Sequence, residues 1–553
     1  MFKAESCGSL EKIFAKIGVM NPRNRGSMLA NERYSFQVAF FSRWTLQTEC
    51  HIEIRSDLED RISFRVVEYA SGTYNLPAGH DENYLFRSDT VTSYPDILKP
   101  FTPTDLCLRP NLWTAVWFTV DGGTAGEHTI DIMLTDSEGK KLCGCEYTLE
   151  VIDAFLPECG IPVTQWIHID SICAYHRVAP FTEAFYEMFG RYLDSYILHS
   201  GNMLYTPLFT PPLNTPCGEE RMTVQTVGVK IAEGEYEFDF TELEKYIDFA
   251  RVHGIKYFEL SHLATQWGAQ FCPKIMAEEH GEIKRIFGWD TPSDGDAYRK
   301  FLEAFLPRLD AFLQGKGISD QCFVHISDEP RKEHFSSYAA LSALVRKHMK
   351  NYKILDAMSD PSFYREGVVD IPVVALSGYE KFTAEMDAVR AEKWVYYCME
   401  EGREYLSNCF FNMPLQRLRV LGFQLWLNGI RGFLHWGFNF YFDYNSRFLL
   451  DPHHRTDAGG AYPSGDSFVV YPDYPSPHSR VMDSVRLEVF DEAISDYRSL
   501  LLLAEIKGEK FVRGLLTENG FSGFSEYPSD GEAHLFLREK INDLIKGGNG
   551  NER

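Results

Sequence analysis

Two patterns of hydrophobic and polar positions divide this chain. Up to about residue 157, short runs alternate apolar with polar or are rich in aromatics: RYSFQVAFFS (33–42), HIEIRS (51–56), RISFRVVEYA (61–70), LWTAVWFTV (112–120), HTIDIMLTD (128–136) and CEYTLEVID (145–153). Period-two alternation places one face of a strand inside and the other outside. Gly, Pro, Asn and Asp separate the runs, and GGTAG (122–126) and SEGKK (137–141) supply turn chemistry. The expectation is a β-sandwich over residues 1–157.

Beyond the segment 155–162 the pattern changes. Continuous apolar runs now alternate with segments of helical period. The expected strands are 163–169, 202–207, 256–260, 322–327, 352–357, 372–376, 394–398 and 431–438. Helices are expected near 181–198, 241–253, 294–314, 335–349, 381–391 and 413–428, with a short one at 361–366 and a last one at 484–505. Uninterrupted apolar strands fit a parallel sheet covered on both faces, and eight strand–helix units make a (β/α)8 barrel. The barrel is assigned to residues 158–505. Residues 506–553 form a short C-terminal helical extension, with a helix near 532–546 and a disordered GGNGNER tip. The fold class is therefore multidomain α and β. Three connections are long, 207–240, 261–293 and 439–483, and 224–240 carries a hairpin pattern.

Composition narrows the partners. The 553 residues carry 55 basic and 79 acidic side chains, a net charge of −24. A chain this acidic repels nucleic acid and anionic membrane surfaces. No stretch reaches the roughly 20 apolar residues of a membrane span, so membrane insertion is not expected. The N-terminal stretch MFKAESCGSLEKIFAKIGV lacks the apolar core of a signal peptide. The 12 cysteines are scattered, and the one close pair, Cys143 and Cys145, has no second pair to complete a zinc site. Free thiols and a cytoplasmic location follow. Oligomeric state leaves no mark in the pattern.

In barrels the chemistry sits at the carboxyl ends of the strands. The fourth strand, QCFVHISDEP (321–330), stops at two adjacent acids, Asp328 and Glu329, before Pro330. An acidic helix start is the alternative reading of such a pair. The other strand ends decide between the two. They carry Trp166, His168 and Asp170; His262, Gln266 and Trp267; Tyr379; Tyr396; and Trp436, Asn439 and Tyr441. Taken singly, Trp436 more often packs as core and a lone histidine is as often structural. Jointly, aromatic faces and polar groups suit a carbohydrate. His168, Asp170, His262, Trp267, Tyr379, Tyr396, Trp436, Asn439 and Tyr441 are the candidate substrate-binding residues, and Asp328 and Glu329 the candidate catalytic pair.

Other chemistries fit less well. The spacing His168-x-Asp170 offers half of a metal pair, but the fourth and fifth strands supply no matching lysine or histidine, so no metal is assigned. No Gly-rich phosphate loop and no G-x-S-x-G elbow follows a strand, and no cofactor is expected. Adjacency shapes the mechanism. Ordinary retaining glycosidases place two carboxylates about 5–5.5 Å apart across the sugar, commonly from different strands. Neighbours in sequence point to opposite faces of a regular strand, so the strand must distort for both to reach one pocket. They fit a route in which the sugar's own 2-acetamido group is the nucleophile.

Six segments, QWIHIDSICAYH (165–176), NMLYTPLFTPPLNT (202–215), ELSHLATQWGAQFCPKI (259–275), HISDEP (325–330), GFLHWGFNFY (432–441) and PSGDSFVVYP (463–472), resemble glycoside hydrolase family 123. The resemblance spans roughly residues 90–505. It implies a β-sandwich followed by a (β/α)8 barrel and release of terminal β-linked N-acetylgalactosamine; the alternatives are a hexosaminidase preferring N-acetylglucosamine and a non-catalytic carbohydrate-binding protein. It also implies that Asp328 supports the acetamido group and Glu329 is the general acid/base.

Overall fold

The computed structural model describes residues 1–73, 76, 79–85, 92–386 and 392–548. Two sheets open the chain. One has five strands in the order Phe2–Gly8, Arg33–Ser42, Trp113–Asp121, Ile62–Gly72 and Thr92–Pro100; the other has four, in the order Arg25–Leu29, Lys141–Ile152, Gly126–Thr135 and His51–Arg55. Alternate residues of the facing strands interlock between them: Phe36, Val38 and Phe40 from one sheet, Ile130, Ile132 and Leu134 from the other. The opposite face of the five-stranded sheet is buried too, because Ala39, Trp117 and Leu98 join the core shared with the barrel. That explains why 33–42 reads as almost continuously apolar.

Three sandwich strands have weak sequence signals. Phe2–Gly8 and Arg25–Leu29 are short, and Thr92–Pro100 contains two prolines. Proline is tolerated there because the strand lies at the sheet edge, and Pro95 faces Tyr69 beside a bulge in which Asp96 is the extra residue.

The barrel strands are Val163–Gln165, Met203–Thr206, Tyr257–Leu260, Cys322–Val324, Lys353–Ala357, Ile371–Ala375, Trp394–Tyr397 and Gly432–His435. Every pairing between them is parallel, and the first strand pairs with the eighth. Asn202 bridges the first and second strands: its N–H donates to Val163 O at 3.1 Å and its Oδ1 accepts from Val163 N at 2.8 Å. Large side chains fill the interior, among them Trp166, Tyr205, Phe323 and Trp394.

Helices cover the outside, including Glu183–Leu198, Thr241–His253, Asp296–Lys316 and Phe335–His348. The expected helix at 381–391 is a short one at Tyr379–Thr383, and residues 387–391 lie outside the described residues. The expected helix at 413–428 is two pieces, Gln416–Arg419 and Leu421–Leu427. A helix at Ile169–His176 directly follows the first strand, where the sequence pattern suggested a longer strand.

The long connections are structured. Gly228–Ala232 and Glu235–Asp239 form the expected hairpin, which joins Ile275–Glu279 and Glu282–Phe287 in a four-stranded sheet. The helix Val485–Lys507, capped by Ser484 through Leu487 N, turns charges inward. Its Arg486 pairs with Asp96 of the sandwich, and its Glu488 with Arg33 and Arg65. The C-terminal helices are Glu509–Glu518 and Gly531–Gly548; the tail 549–553 lies outside the described residues. All twelve cysteines are unpaired. Among the described residues no helix is long and apolar enough to cross a membrane.

Candidate active site

Along the fourth strand the alternation first behaves as expected. Phe323 points into the barrel, while Cys322 and Val324 pack outward. His325 continues the inward register and is fully buried. Its Nε2 donates to Glu259 Oε2 and its Nδ1 to Asp356 Oδ1, both at 2.9 Å. Burial alone would lower its pKa, but the two carboxyl partners raise it to about 9. Asp356 Oδ2 also takes the Tyr338 hydroxyl at 2.6 Å and Ile326 N at 2.9 Å, and Trp166 Nε1 donates to Glu259 at 2.9 Å. His262, His325 and Asp356 place ligand atoms within metal-binding reach of one another. Both His325 nitrogens are already engaged by Glu259 and Asp356.

Past His325 the strand leaves its register. Glu329 has φ +46°, the left-handed region that a side-chain-bearing residue seldom adopts. This turn brings both Asp328 and Glu329 to the same cavity, as the adjacency required. The loop after the third strand fixes the turn: Leu263 N donates to His325 O, Ala264 N to Ile326 O, and Trp267 N to Asp328 O at 3.2, 2.9 and 2.8 Å. Trp267 is itself left-handed, φ +61°.

The acids differ in setting. Asp328 is 7% exposed, and its Oδ2 accepts from Gln266 Nε2 at 2.7 Å. The Gln266 amide is oriented by Asn214 N, which donates to its oxygen at 2.9 Å. Burial, then the charges of Glu329 and Asp356, push the Asp328 carboxyl well above its ordinary range; His325 and Gln266 pull the other way. Glu329 is half-buried and accepts the Tyr396 hydroxyl at 2.6 Å. Burial and the neighbouring Glu329 charge keep Tyr396 a neutral phenol.

The cavity encloses roughly 830 Å³, open solvent at its mouth included. Of the expected binding residues, His168, Trp267, Tyr396 and Trp436 line it. Trp267 stands at the rim, 37% exposed, with its ring stacked 6.2 Å from that of Tyr444. His168 Nε2 donates to Trp436 O at 2.8 Å, and burial lowers the ring's pKa to about 4, so it is neutral.

The other five lie outside the cavity. Asp170 forms a buried ion pair with Arg221, at 2.8 Å to Nε and 2.6 Å to Nη2. Arg221 in turn holds Leu213 O, in the cavity wall, at 2.7 Å. Asn439 clasps the backbone of His168, accepting from its N at 2.8 Å and donating to its O at 3.2 Å. His262 meets the Tyr205 hydroxyl at 2.8 Å behind the wall. Tyr379 packs edge-on against Phe524, its hydroxyl 3.4 Å from Asn428 O. Tyr441 donates to Val470 O at 3.1 Å. The displacement of Asn439 and Tyr441 has a simple cause: the eighth strand ends at His435, and the chain then turns back over the barrel.

Several lining residues have no strand-end signature. Tyr444, Tyr462 and Asp466 come from the long connection after the eighth strand, and Asn214 from the proline-rich loop after the second. Only the segment 463–472 hinted at Asp466, without assigning it a role.

Known proteins resemble the chain as follows. The family model for the glycoside hydrolase 123 catalytic domain matches residues 166–503. The structure of a family 123 glycoside hydrolase from Clostridium perfringens, reported in work on glycolipid glycan hydrolysis, superposes with TM-score 0.75 at 16% identity. The match covers 100% of this chain and 98% of that one. A β-glucuronidase of Parabacteroides merdae (TM-score 0.33, 10% identity, 83% of this chain and 50% of that one) is too distant to carry an argument. The same holds for a family 5 mannosidase of Rhizomucor miehei (0.33, 11%, 65% and 99%). No curated protein sequence matches the chain.

Proposed function

Because the chain belongs to glycoside hydrolase family 123, we propose that this glycosidase releases terminal β-linked N-acetylgalactosamine from glycans or glycolipid oligosaccharides, with retention of configuration. The observation that carries the reading is the left-handed turn at Glu329, which delivers two adjacent carboxyl groups to one cavity. Delivered from neighbouring positions, they are poorly placed to straddle the anomeric carbon as a nucleophile and an acid must. A substrate that carries its own nucleophile removes that requirement. The carbonyl oxygen of the 2-acetamido group attacks the anomeric carbon as the bond to the leaving oxygen breaks, giving an oxazolinium-type intermediate that water then opens.

Asp328 receives the acetamido N–H in this scheme. That hydrogen bond favours the Asp328 carboxylate over the protonated form that burial favours in the empty site. The proton of the pair is then available on Glu329 for the leaving oxygen, and Glu329 afterwards activates water. Tyr396 orients the Glu329 carboxyl, and Trp436 and Trp267 offer faces for the pyranose and for the group that follows it. The glycolipid work on the Clostridium perfringens enzyme supports glycolipid glycans as the substrate class.

The test is a parallel assay with 4-nitrophenyl N-acetyl-β-galactosaminide, N-acetyl-β-glucosaminide and β-galactoside. Turnover of the first, little of the second and none of the third is expected, with inhibition by a thiazoline mimic of the cyclised sugar. Equal turnover of the β-galactoside, which lacks the acetamido group, overturns the mechanism.

A further inference from the structure

We infer that Asp466 is a specificity-determining residue that binds the hydroxyl on C4 of the sugar. The inference rests on the proposed placement of the sugar's C1–C2 edge at Asp328 and Glu329. Asp466 lines the cavity, is fully buried, and uses only one side of its carboxyl group. Its Oδ2 accepts the Trp436 indole N–H at 3.2 Å, while its Oδ1 has no hydrogen-bond partner among the described residues. A buried polar oxygen left unpaired is costly, and in a ligand cavity the natural explanation is a partner that arrives with the ligand.

The carboxyl is held firmly. Asp466 O accepts from His435 Nε2 at 3.0 Å, and it lies so close to Gly437 that a Cβ there would sit 2.6 Å from it. Glycine at 437 therefore lets the loop press against the end of the eighth strand. Burial pushes the Asp466 carboxyl well up, the Trp436 hydrogen bond opposing it. A protonated Oδ1 can donate to a hydroxyl oxygen, and an ionised one can accept a hydroxyl proton, so a hydroxyl serves as partner in either state.

Barrel order indicates which hydroxyl. In the closed sequence of strands, the eighth, Gly432–His435, lies four places from the fourth, Cys322–Val324, in both directions. Asp466 packs on the eighth and the acid pair ends the fourth, so they face each other across the barrel mouth. Across a pyranose ring, C4 stands opposite C1. A ring with C1 at Glu329 turns C4 toward Asp466. This is the carbon at which N-acetylgalactosamine and N-acetylglucosamine differ, and a buried group that loses its hydroxyl partner discriminates strongly.

The experiment compares 4-nitrophenyl N-acetyl-β-galactosaminide with its 4-deoxy and 6-deoxy forms on the wild-type protein, Asp466→Ala and Asp466→Ser. On the wild type, loss of the 4-hydroxyl should cut kcat/KM about 100-fold and loss of the 6-hydroxyl far less. Either substitution should cut the parent substrate by a similar factor while changing the 4-deoxy substrate less than about threefold. An equal loss on parent and 4-deoxy substrates overturns the inference. If neither variant folds, the wild-type comparison decides: a 4-deoxy loss no larger than the 6-deoxy loss also overturns it. If the wild type hydrolyses none of the three, the proposed function fails separately. Calorimetric titration with N-acetylgalactosamine and its 4-deoxy form then decides the Asp466 contact, and equal affinities overturn it.

Discussion

Three residues apart on one chain segment, two buried acid–base centres are solved in opposite ways. At His325 an imidazolium sits between Glu259 and Asp356, and tyrosine, tryptophan and backbone donors fill other sites on the carboxyl groups. At Asp328 and Glu329 two acids stand side by side and take hydrogen bonds from neutral groups, Gln266 and Tyr396. The lower centre is compensated by a cation and closed to ligands. The upper one is left with mutual repulsion and faces a cavity. Buried charge that is matched holds a barrel together; buried charge that is unmatched costs stability and waits for a substrate.

The largest effect should follow from removing the upper pair. Glu329→Gln is expected to lower kcat on an oligosaccharide substrate by about 10³-fold. It should cost less on 4-nitrophenyl glycosides, whose leaving group scarcely needs a proton. Asp328→Asn should lose activity on both, because it acts on the acetamido group and not on the leaving oxygen. Equal behaviour of the two variants across leaving groups would erase the division of labour.

At the lower centre His325→Phe should destabilise the protein by about 3–5 kcal/mol in denaturant unfolding, because Glu259 and Asp356 lose their cation. A pH series gives the sign. The His325 pKa is raised to about 9 in the fold, against roughly 6.5 unfolded. Its stabilisation is complete below about pH 6.5 and is lost as pH rises through about 9. Wild-type stability should fall more steeply across that window than the variant's; parallel curves would show that the cation does no such work.

Asp328 has the same sign for stability, in a lower pH range that starts from an ordinary carboxyl pKa. Its folded pKa is raised, so its contribution is fullest at low pH and is lost as pH rises. Asp328→Asn should therefore be the more stable protein at pH 8, by about 1 kcal/mol, with the gap closing toward pH 4. A wild type that melts above the variant at pH 8 would contradict the picture of an uncompensated pair. The smallest effect is expected for Tyr396→Phe, a loss of one hydrogen bond to Glu329, about tenfold in kcat/KM with the thermal midpoint nearly unchanged.

Much of this architecture was legible from local pattern. Eight apolar runs became eight parallel strands, because a strand covered on both faces must be apolar throughout. The adjacency of Asp328 and Glu329 already demanded a broken register, and the left-handed Glu329 is that break. Strands with prolines or short polar runs escaped notice, since their pairing depends on neighbours distant in sequence.

The binding wall divides along the same line. His168, Trp267, Tyr396 and Trp436 could be named because a strand or the loop that follows it carries them to the mouth. Asp170, Asn439, His262, Tyr379 and Tyr441 have the right chemistry, but the chain turned before they could face the cavity, and they bind Arg221, backbone or packed rings instead. Gln266 and Asp466 owe their places to contacts made across 62 and 30 residues. Periodicity encodes what a segment becomes, because it acts between neighbours in sequence. Which side chains share a cavity depends on loop closure between distant segments, and only the tertiary structure decided that.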